Sequence, residues 1–230
     1  KRKRIKFTNQ YTMKRPENQL EIFKYKGEPI KITLGTIVMI GICTFLIVIA
    51  TFTQVKIPHF LNATGSVNIG EGLINNANGY LYIPQIPVIL FIAGLMGRIF
   101  GTLSVLVYIA IGLFCYPIFA LGGGLRYVLA FNFGYILAYI PAVFLTGTIL
   151  NHGYSIKNVL KATIIGVLTI HVIGILYTAF ISIISSGDDL SIFGTIVKQS
   201  GWKILYDLIF SCISIYMANV TKKILWLIMC

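Results

Sequence analysis

Charged residues are scarce in this chain, and acidic residues are the scarcest. Only 11% of its 230 residues are charged and seven are acidic, whereas 57% are hydrophobic, with a mean hydropathy of +0.83. These values exclude an ordinary soluble domain and are typical of a protein that crosses the membrane several times. The 19 basic residues raise the net charge to +12, so their placement along the chain carries information.

Motifs of enzyme chemistry are also missing. The sequence has no H-E-x-x-H, no G-x-S-x-G and no Walker A pattern, so energy from ATP would have to come from another chain. The four cysteines are scattered without a C-x-x-C pair, which favours packing over redox or metal chemistry. We therefore expect no enzymatic activity, no metal and no cofactor.

Six apolar runs have the length that a membrane-crossing helix needs, about 20 residues. They leave room for one domain, so the predicted fold class is an all-α integral membrane protein with a single six-helix domain over residues 32–230. The runs lie near residues 32–55, 80–98, 101–118, 127–150, 158–184 and 203–228.

The basic residues predict the orientation of these helices. Ten of the 19 lie at or before Lys31, and such segments stay on the cytoplasmic side. Residues 1–31 are therefore interpreted as a cytoplasmic segment that can contact anionic lipid headgroups, and not as a nucleic-acid-binding arm. Six crossings also place the C terminus in the cytoplasm. The long segment 54–83 becomes an external loop, of a length typical of lids and binding loops, although a simple connector is the alternative.

The segment Cys115–Tyr135, CYPIFALGGGLRYVLAFNFGY, joins two apolar runs through an unusual break. It combines a cation, Arg126, and an amide, Asn132, with three consecutive glycines. We call Gly122–Gly124 the glycine loop and expect it to be flexible. This mixture is more than a membrane-spanning chain requires, and it predicts a small-molecule site at the external face.

Aromatic residues recur at every fourth position after this break. They form one stripe if the helix begins by Tyr127, and the stripe either faces a ligand or packs against another helix. Pro141 predicts a kink in the same helix. The stripe consists of Tyr127, Phe131, Tyr135 and Tyr139.

Three of the ionisable residues inside the apolar runs are candidates for a functional role. Asp207 is the only acid in any of them, and a carboxylate is costly in a bilayer, which makes it a functional candidate. Lys203 precedes Asp207 by four residues, the spacing of an ion pair on one helix face. His171 lies mid-span and is interpreted as hydrogen-bonded to a neighbouring helix, with proton relay as the alternative.

Together these residues predict a site for a small amphipathic anion. Cations suit a carboxylate, an aspartate and an amide suit a polar N–H/C=O group, and aromatic rings suit an apolar body. The alternative is that the two cations only reach for the membrane interface and that Asp207 only pairs with Lys203. The candidate substrate-binding residues are Asp207, Asn132, Tyr135, Arg126, Lys203, Tyr139 and Gly123.

The segment Ile83–Gly147 resembles the BioY family, the substrate-binding S components of energy-coupling-factor (ECF) biotin transporters. The resemblance rests on IPQIPVILFIAGLMGRIFG, LVYIAIGLFCYPIFALGGG and FNFGYILAYIPAVFLTG. These match an apolar helix ending in A-G-x-x-G, a Y-x-x-x-G-L-x-x-P-x-F-A run, a glycine cluster and a G-Y-x-x-x-F helix start, in that order. Residues near 203–228 match loosely.

The resemblance implies a six-helix membrane protein that binds biotin at its outer side. It also implies a transmembrane coupling subunit and two ATPase subunits as partners. The bicyclic ring would pack among the aromatic residues, with Asn132 and Asp207 toward its polar ends. Arg126 or Lys203 would meet the valerate carboxylate, and the glycine loop would help to close the site.

Two departures from the family pattern are visible. The family typically has a lysine three residues after the acid of its last helix, where this chain has Phe210; our hypothesis is that Lys203 supplies that cation from the preceding turn. The small-residue spacing expected for docking in the first helix is also incomplete. The small residues available there are Gly35, Gly41, Cys43 and Thr44.

Other functions remain open at this point. The chain could be an S component for another vitamin, or a small membrane enzyme acting on lipid with His171 and Asp207 as acid–base residues. It could also be a structural assembly protein.

Overall fold

The computed structural model describes residues 32–57, 80–185, 194, 196, 197 and 199–229. The predictions for residues 1–31 and for most of the external loop lie outside these residues. The described elements, in chain order, are α1 (Leu34–Phe52), β1 (Val55–Ile57), β2 (Tyr80–Tyr82), α2 (Gln85–Ala110), a π-helical turn (Ile111–Cys115), a 3-10 helix (Leu125–Leu129), α3 (Phe133–Leu137), α4 (Tyr139–Leu150), α5 (Ile156–Ser185) and α6 (Lys203–Met229).

Helices account for nearly all of this structure, as predicted. Within the part of the chain that the structure describes, five helical stretches are long and apolar enough to cross a membrane. The short strands β1 and β2 pair antiparallel, with Val55 opposite Tyr82, so the two ends of the predicted external loop lie side by side. The five stretches are Leu34–Phe52, Gln85–Cys115, Phe133–Leu150, Ile156–Ile184 and Lys203–Leu225.

Helix α2 is folded back on itself at Gly97, which has φ 73° and ψ −173°. A residue with a side chain rarely adopts that backbone conformation, so glycine is required at this turn. Gln85 donates a hydrogen bond from Nε2 to the Tyr108 hydroxyl, at 3.1 Å, although a straight helix would separate these residues by about 35 Å. The chain therefore turns back between the apolar runs 80–98 and 101–118, and six crossings remain a prediction.

The fourth predicted span begins later than the sequence suggested. Tyr127 lies in the separate 3-10 helix, and Ala130 at its end is extended, with φ −76° and ψ 139°. The α-helix starts only at Phe133, so the condition for one continuous aromatic stripe, a helix that begins by Tyr127, is not met. Helix α3 ends and α4 begins around Ala138, three residues before Pro141, whose ring disfavours a continuous helix there; the kink itself stays a prediction.

Helices α3 and α5 interlock through two glycines. A Cβ atom at Gly134 would lie 2.2 Å from Cβ of Tyr177, and one at Gly174 would lie 2.4 Å from Cδ1 of Tyr135. Each glycine thus receives a tyrosine of the opposite helix, which brings the two backbones close together. This contact fixes Tyr135 against α5.

Candidate binding site

Asp207 lies at the centre of the described polar groups, and it is the only acid among the described residues. Its side chain is completely buried. Tyr82 donates to Oδ1 at 2.7 Å, and Lys203 donates to Oδ2 at 2.7 Å from one turn earlier on α6. The Lys203–Asp207 ion pair predicted from their spacing is therefore confirmed.

His171 connects Asp207 to two hydroxyl groups. Its Nε2 lies 3.2 Å from Oδ2 of Asp207, and its Nδ1 lies 3.0 Å from Oγ of Ser200. Ser200 is in turn 2.7 Å from the hydroxyl of Tyr135. The interpretation of His171 as bonded to a neighbouring helix is confirmed. We call these six residues the Asp207 cluster: Tyr82, Tyr135, His171, Ser200, Lys203 and Asp207.

Aromatic rings pack around this cluster. The centroid of the Tyr82 ring lies 5.2 Å from the centroid of the Phe210 ring and 5.6 Å from Nζ of Lys203. Tyr135 meets the His171 imidazole edge to face, at 6.2 Å. The cation therefore has a carboxylate and an aromatic face as neighbours, which compensates part of the cost of its burial.

The segment that contains the glycine loop is anchored by Phe119. This side chain is only 1% exposed and packs between the rings of Tyr108 and Tyr127, at 5.5 and 5.0 Å. A Cβ atom at Gly112 would lie 2.2 Å from the Phe119 ring, so only glycine leaves room for it there. Burial raises the pKa of the Tyr127 hydroxyl, with a backbone hydrogen bond from Leu121 opposing the shift.

The backbone of this segment is held at several points. Phe119 and Gly122 exchange two hydrogen bonds of 3.0 Å, and Gly124 donates to the carbonyl of Gly112 at 2.9 Å. Gly122 and Gly124 have positive φ, 126° and 83°. At Gly123 a larger residue is excluded by lack of space, because an added Cβ atom would lie 2.6 Å from Cα of Pro117. The flexibility of the glycine loop stays a prediction.

The other predicted site residues differ in their surroundings. The Asn132 side-chain oxygen is buried and has no hydrogen-bond partner among the described residues. Tyr139 is buried in α4, within electrostatic range of Asp207. Arg126 is exposed on the 3-10 helix, and no hydrogen bond or ion pair joins it to the described part of the chain.

Sequence reasoning did not identify Tyr82 and Ser200 as members of the cluster. Tyr82 lies 125 positions from its partner Asp207, and Ser200 lies 29 from His171. Neither contact is a helical repeat, so no local pattern signals it. A weak signal existed in Tyr82, since a tyrosine beside an apolar run needs a partner for its hydroxyl once the run is buried.

A family model for the BioY family matches residues 79–226. The chain belongs to the BioY family. The matched region contains every member of the Asp207 cluster, together with the glycine loop, Arg126 and Asn132. The resemblance to this family that the sequence motifs indicated is therefore confirmed.

Two known proteins are similar to this chain. A probable biotin transporter BioY from Lysinibacillus sphaericus is 37% identical over 103 residues, which are 41% of this chain and 53% of that protein. The match therefore spans about half the length of this curated relative. A crystal structure of the S-component for biotin from an ECF-type ABC transporter matches with a TM-score of 0.60 at 21% identity, covering 84% of this chain and 95% of that one.

The structural match confirms the predicted all-α, membrane-spanning fold class, whereas the six crossings, the single domain over residues 32–230 and the cytoplasmic termini stay predictions. At this level of identity it shows the fold alone. Together with the family and the long apolar helices, it makes the chain an integral, multi-pass membrane protein.

Proposed function

We propose that this chain is the biotin-binding S component of an ECF transporter and takes part in biotin uptake without being an enzyme itself. The observation that carries the proposal is the buried contact between Lys203 and Asp207. The family resemblance calls for an acid and a lysine on the last helix, and here the lysine comes from the turn before the acid. The chain thus keeps the charge pair while departing from the usual spacing.

The Asp207 carboxylate and the Asn132 amide suit the ureido ring of biotin. That ring carries two N–H donors and one carbonyl acceptor on an otherwise apolar bicycle. The buried Asn132 oxygen has a free acceptor site among the described residues, and burying an unpaired acceptor is costly unless a ligand donor fills it. Asp207 accepts three hydrogen bonds and has one lone-pair direction left.

The ligand carboxylate is assigned to Arg126. Lys203 is already neutralised by Asp207, so its charge is not available to a second anion without loss of the first contact. Arg126 is exposed and has no ion pair within the described residues, and a guanidinium binds a carboxylate through two parallel hydrogen bonds. Tyr135 contributes its ring, because its hydroxyl is bonded to Ser200.

Partner subunits are part of the proposal. A chain without a phosphate-binding loop needs ATPase subunits to drive uptake, together with a coupling subunit in the membrane. In α1, Gly41 has open space around its Cβ position, whereas Thr44 is buried and donates to the Ser104 carbonyl at 3.1 Å. We therefore assign docking to the exposed side of α1 around Gly41, and not to Cys43 and Thr44, which are buried.

One observation favours an enzyme as the second candidate. Ser200, His171 and Asp207 are hydrogen-bonded in the order of an acyl-transfer triad. The ring nitrogens are exchanged relative to the usual serine hydrolase arrangement, since Nδ1 and not Nε2 meets the serine. A serine-directed fluorophosphonate probe distinguishes the two functions, and we expect it to leave Ser200 unlabelled.

Equilibrium binding of labelled biotin to the purified chain in detergent tests the main proposal. We expect saturable binding in the nanomolar range without partner subunits, and competition by unlabelled biotin. Displacement by a different vitamin at lower concentration would point to an S component of other specificity. Absence of biotin binding by a folded sample would overturn the proposal.

A further inference from the structure

We propose that His171 is a positioning residue for the ligand-binding carboxylate: as a neutral imidazole that carries its proton on Nε2, it holds Asp207 in one orientation. The Tyr135–Ser200 hydroxyl pair selects this tautomer by filling the other ring nitrogen. The inference deepens the proposed function and rests on it, because Asp207 is taken there as the residue that meets the ligand.

The direction of each hydrogen bond follows from the groups that can donate. The Lys203 ammonium only donates and an ionised carboxylate only accepts, so His171 must donate from Nε2 to Oδ2. Nδ1 then either accepts from Ser200, which accepts in turn from Tyr135, or donates to Ser200 as part of an imidazolium ion. The geometry is compatible with both arrangements, and charge decides between them.

Only the neutral imidazole leaves the cluster without net charge. Lys203 and Asp207 cancel each other, and an imidazolium would add an unmatched positive charge at a side chain that is 2% exposed. Within the described residues the titratable groups around the cluster offer no second anion, since Tyr135 of α3, Tyr82 of β2 and Tyr139 of α4 are phenols. Asp207 is the only acid in the described ranges. An uncompensated buried charge is strongly unfavourable, so the neutral form is selected.

Three donors from three elements then fix the carboxylate. Tyr82 of β2 holds Oδ1, while His171 of α5 and Lys203 of α6 hold Oδ2. Without His171, only the lysine on Asp207's own helix and the tyrosine would hold it, and the carboxylate could turn about its side chain. The remaining lone pair would then lose the fixed direction that a ligand N–H requires.

Nitrogen NMR of the protein labelled at histidine tests the tautomer directly. We expect the ring signals of His171, assigned by their loss in His171→Gln, to be those of a neutral imidazole with the proton on Nε2 near neutral pH. Imidazolium signals, or signals of the Nδ1–H tautomer, would overturn the inference. This measurement needs no ligand, so it decides the tautomer even if the chain binds no biotin and the proposed function fails.

Biotin affinity tests the positioning role. His171→Ala should weaken binding by about tenfold or more, since it removes a hydrogen bond to a charged group. His171→Gln, whose amide nitrogen can reach the place of Nε2, should recover most of that affinity. His152→Gln is the matched control, because His152 is exposed, and should bind as the unchanged protein does. Equal losses in the two His171 variants, or no loss in either, would contradict the role.

Discussion

The Nζ atom of Lys203 lies 2.7 Å from Oδ2 of Asp207, and both residues belong to the same helix. The pair is therefore formed by local geometry and does not depend on how α6 packs against its neighbours. Both side chains are buried, so removing either one leaves the charge of the other without a partner. This interdependence makes the pair the most informative place for substitutions.

We predict that Lys203→Met and Asp207→Asn each lower both biotin affinity and thermal stability in detergent. Breaking a buried ion pair by removing one partner costs about 3–5 kcal/mol of folding free energy. The double variant should regain much of the lost stability, because no charge is then left unpaired, but it should not regain affinity. Melting curves and equilibrium binding of the three variants measure the two effects separately.

Lys223→Met is the control for this series. Lys223 lies on the same helix and is exposed, so its loss should change neither quantity beyond the experimental error. Recovery of biotin binding in the double variant would mean that the pair serves folding only.

Tyr82→Phe should weaken biotin binding while leaving the ring contacts of Tyr82 in place. The substitution removes only the hydroxyl that donates to Asp207 at 2.7 Å, which is worth about 1.5–3 kcal/mol when the acceptor is charged. Tyr216→Phe, at an exposed position of α6, is the matched control. An affinity unchanged in Tyr82→Phe would show that Oδ1 needs no donor.

Gly112→Ala should destabilise the protein by about 1–3 kcal/mol through overpacking. The added methyl group would meet the buried Phe119 ring and displace the segment that carries the glycine loop. Gly41→Ala places the same methyl group in open space on α1, where it should be neutral or stabilising by up to about 1 kcal/mol. The melting temperatures of the two variants, measured on the isolated chain, test this difference. Equal changes in melting temperature would contradict the packing argument.

The contact with the ligand carboxylate can be located by changing both partners. Biotin methyl ester lacks the negative charge and should bind about tenfold more weakly than biotin to the unchanged chain. In Arg126→Met the two ligands should bind alike, whereas in Lys157→Met, an exposed lysine on α5, the difference should persist. If the difference disappears only in Lys203→Met, the carboxylate meets Lys203.

The sequence predicted those features that depend on local order. Hydropathy located the spans because a helix in lipid needs an unbroken apolar run, and the Lys203–Asp207 contact follows from helical spacing. The break before Pro141 follows from the backbone chemistry of one residue.

The parts that were missed depend on distant contacts. Tyr82 and Ser200 reach the cluster only because β2, α5 and the start of α6 meet in three dimensions. The late start of α3 was missed because aromatic spacing continues through Tyr127, although the backbone at Ala130 is extended. Periodicity in side chains does not ensure a continuous helix beneath them.

The exchange of tyrosines and glycines between α3 and α5 has a mechanical consequence. With Tyr177 filling the place beside Gly134 and Tyr135 the place beside Gly174, neither helix can slide along the other without steric overlap. The interlocked tyrosines therefore hold α3 and α5 in register, and with them Tyr135 and His171, two members of the Asp207 cluster that lie on different helices.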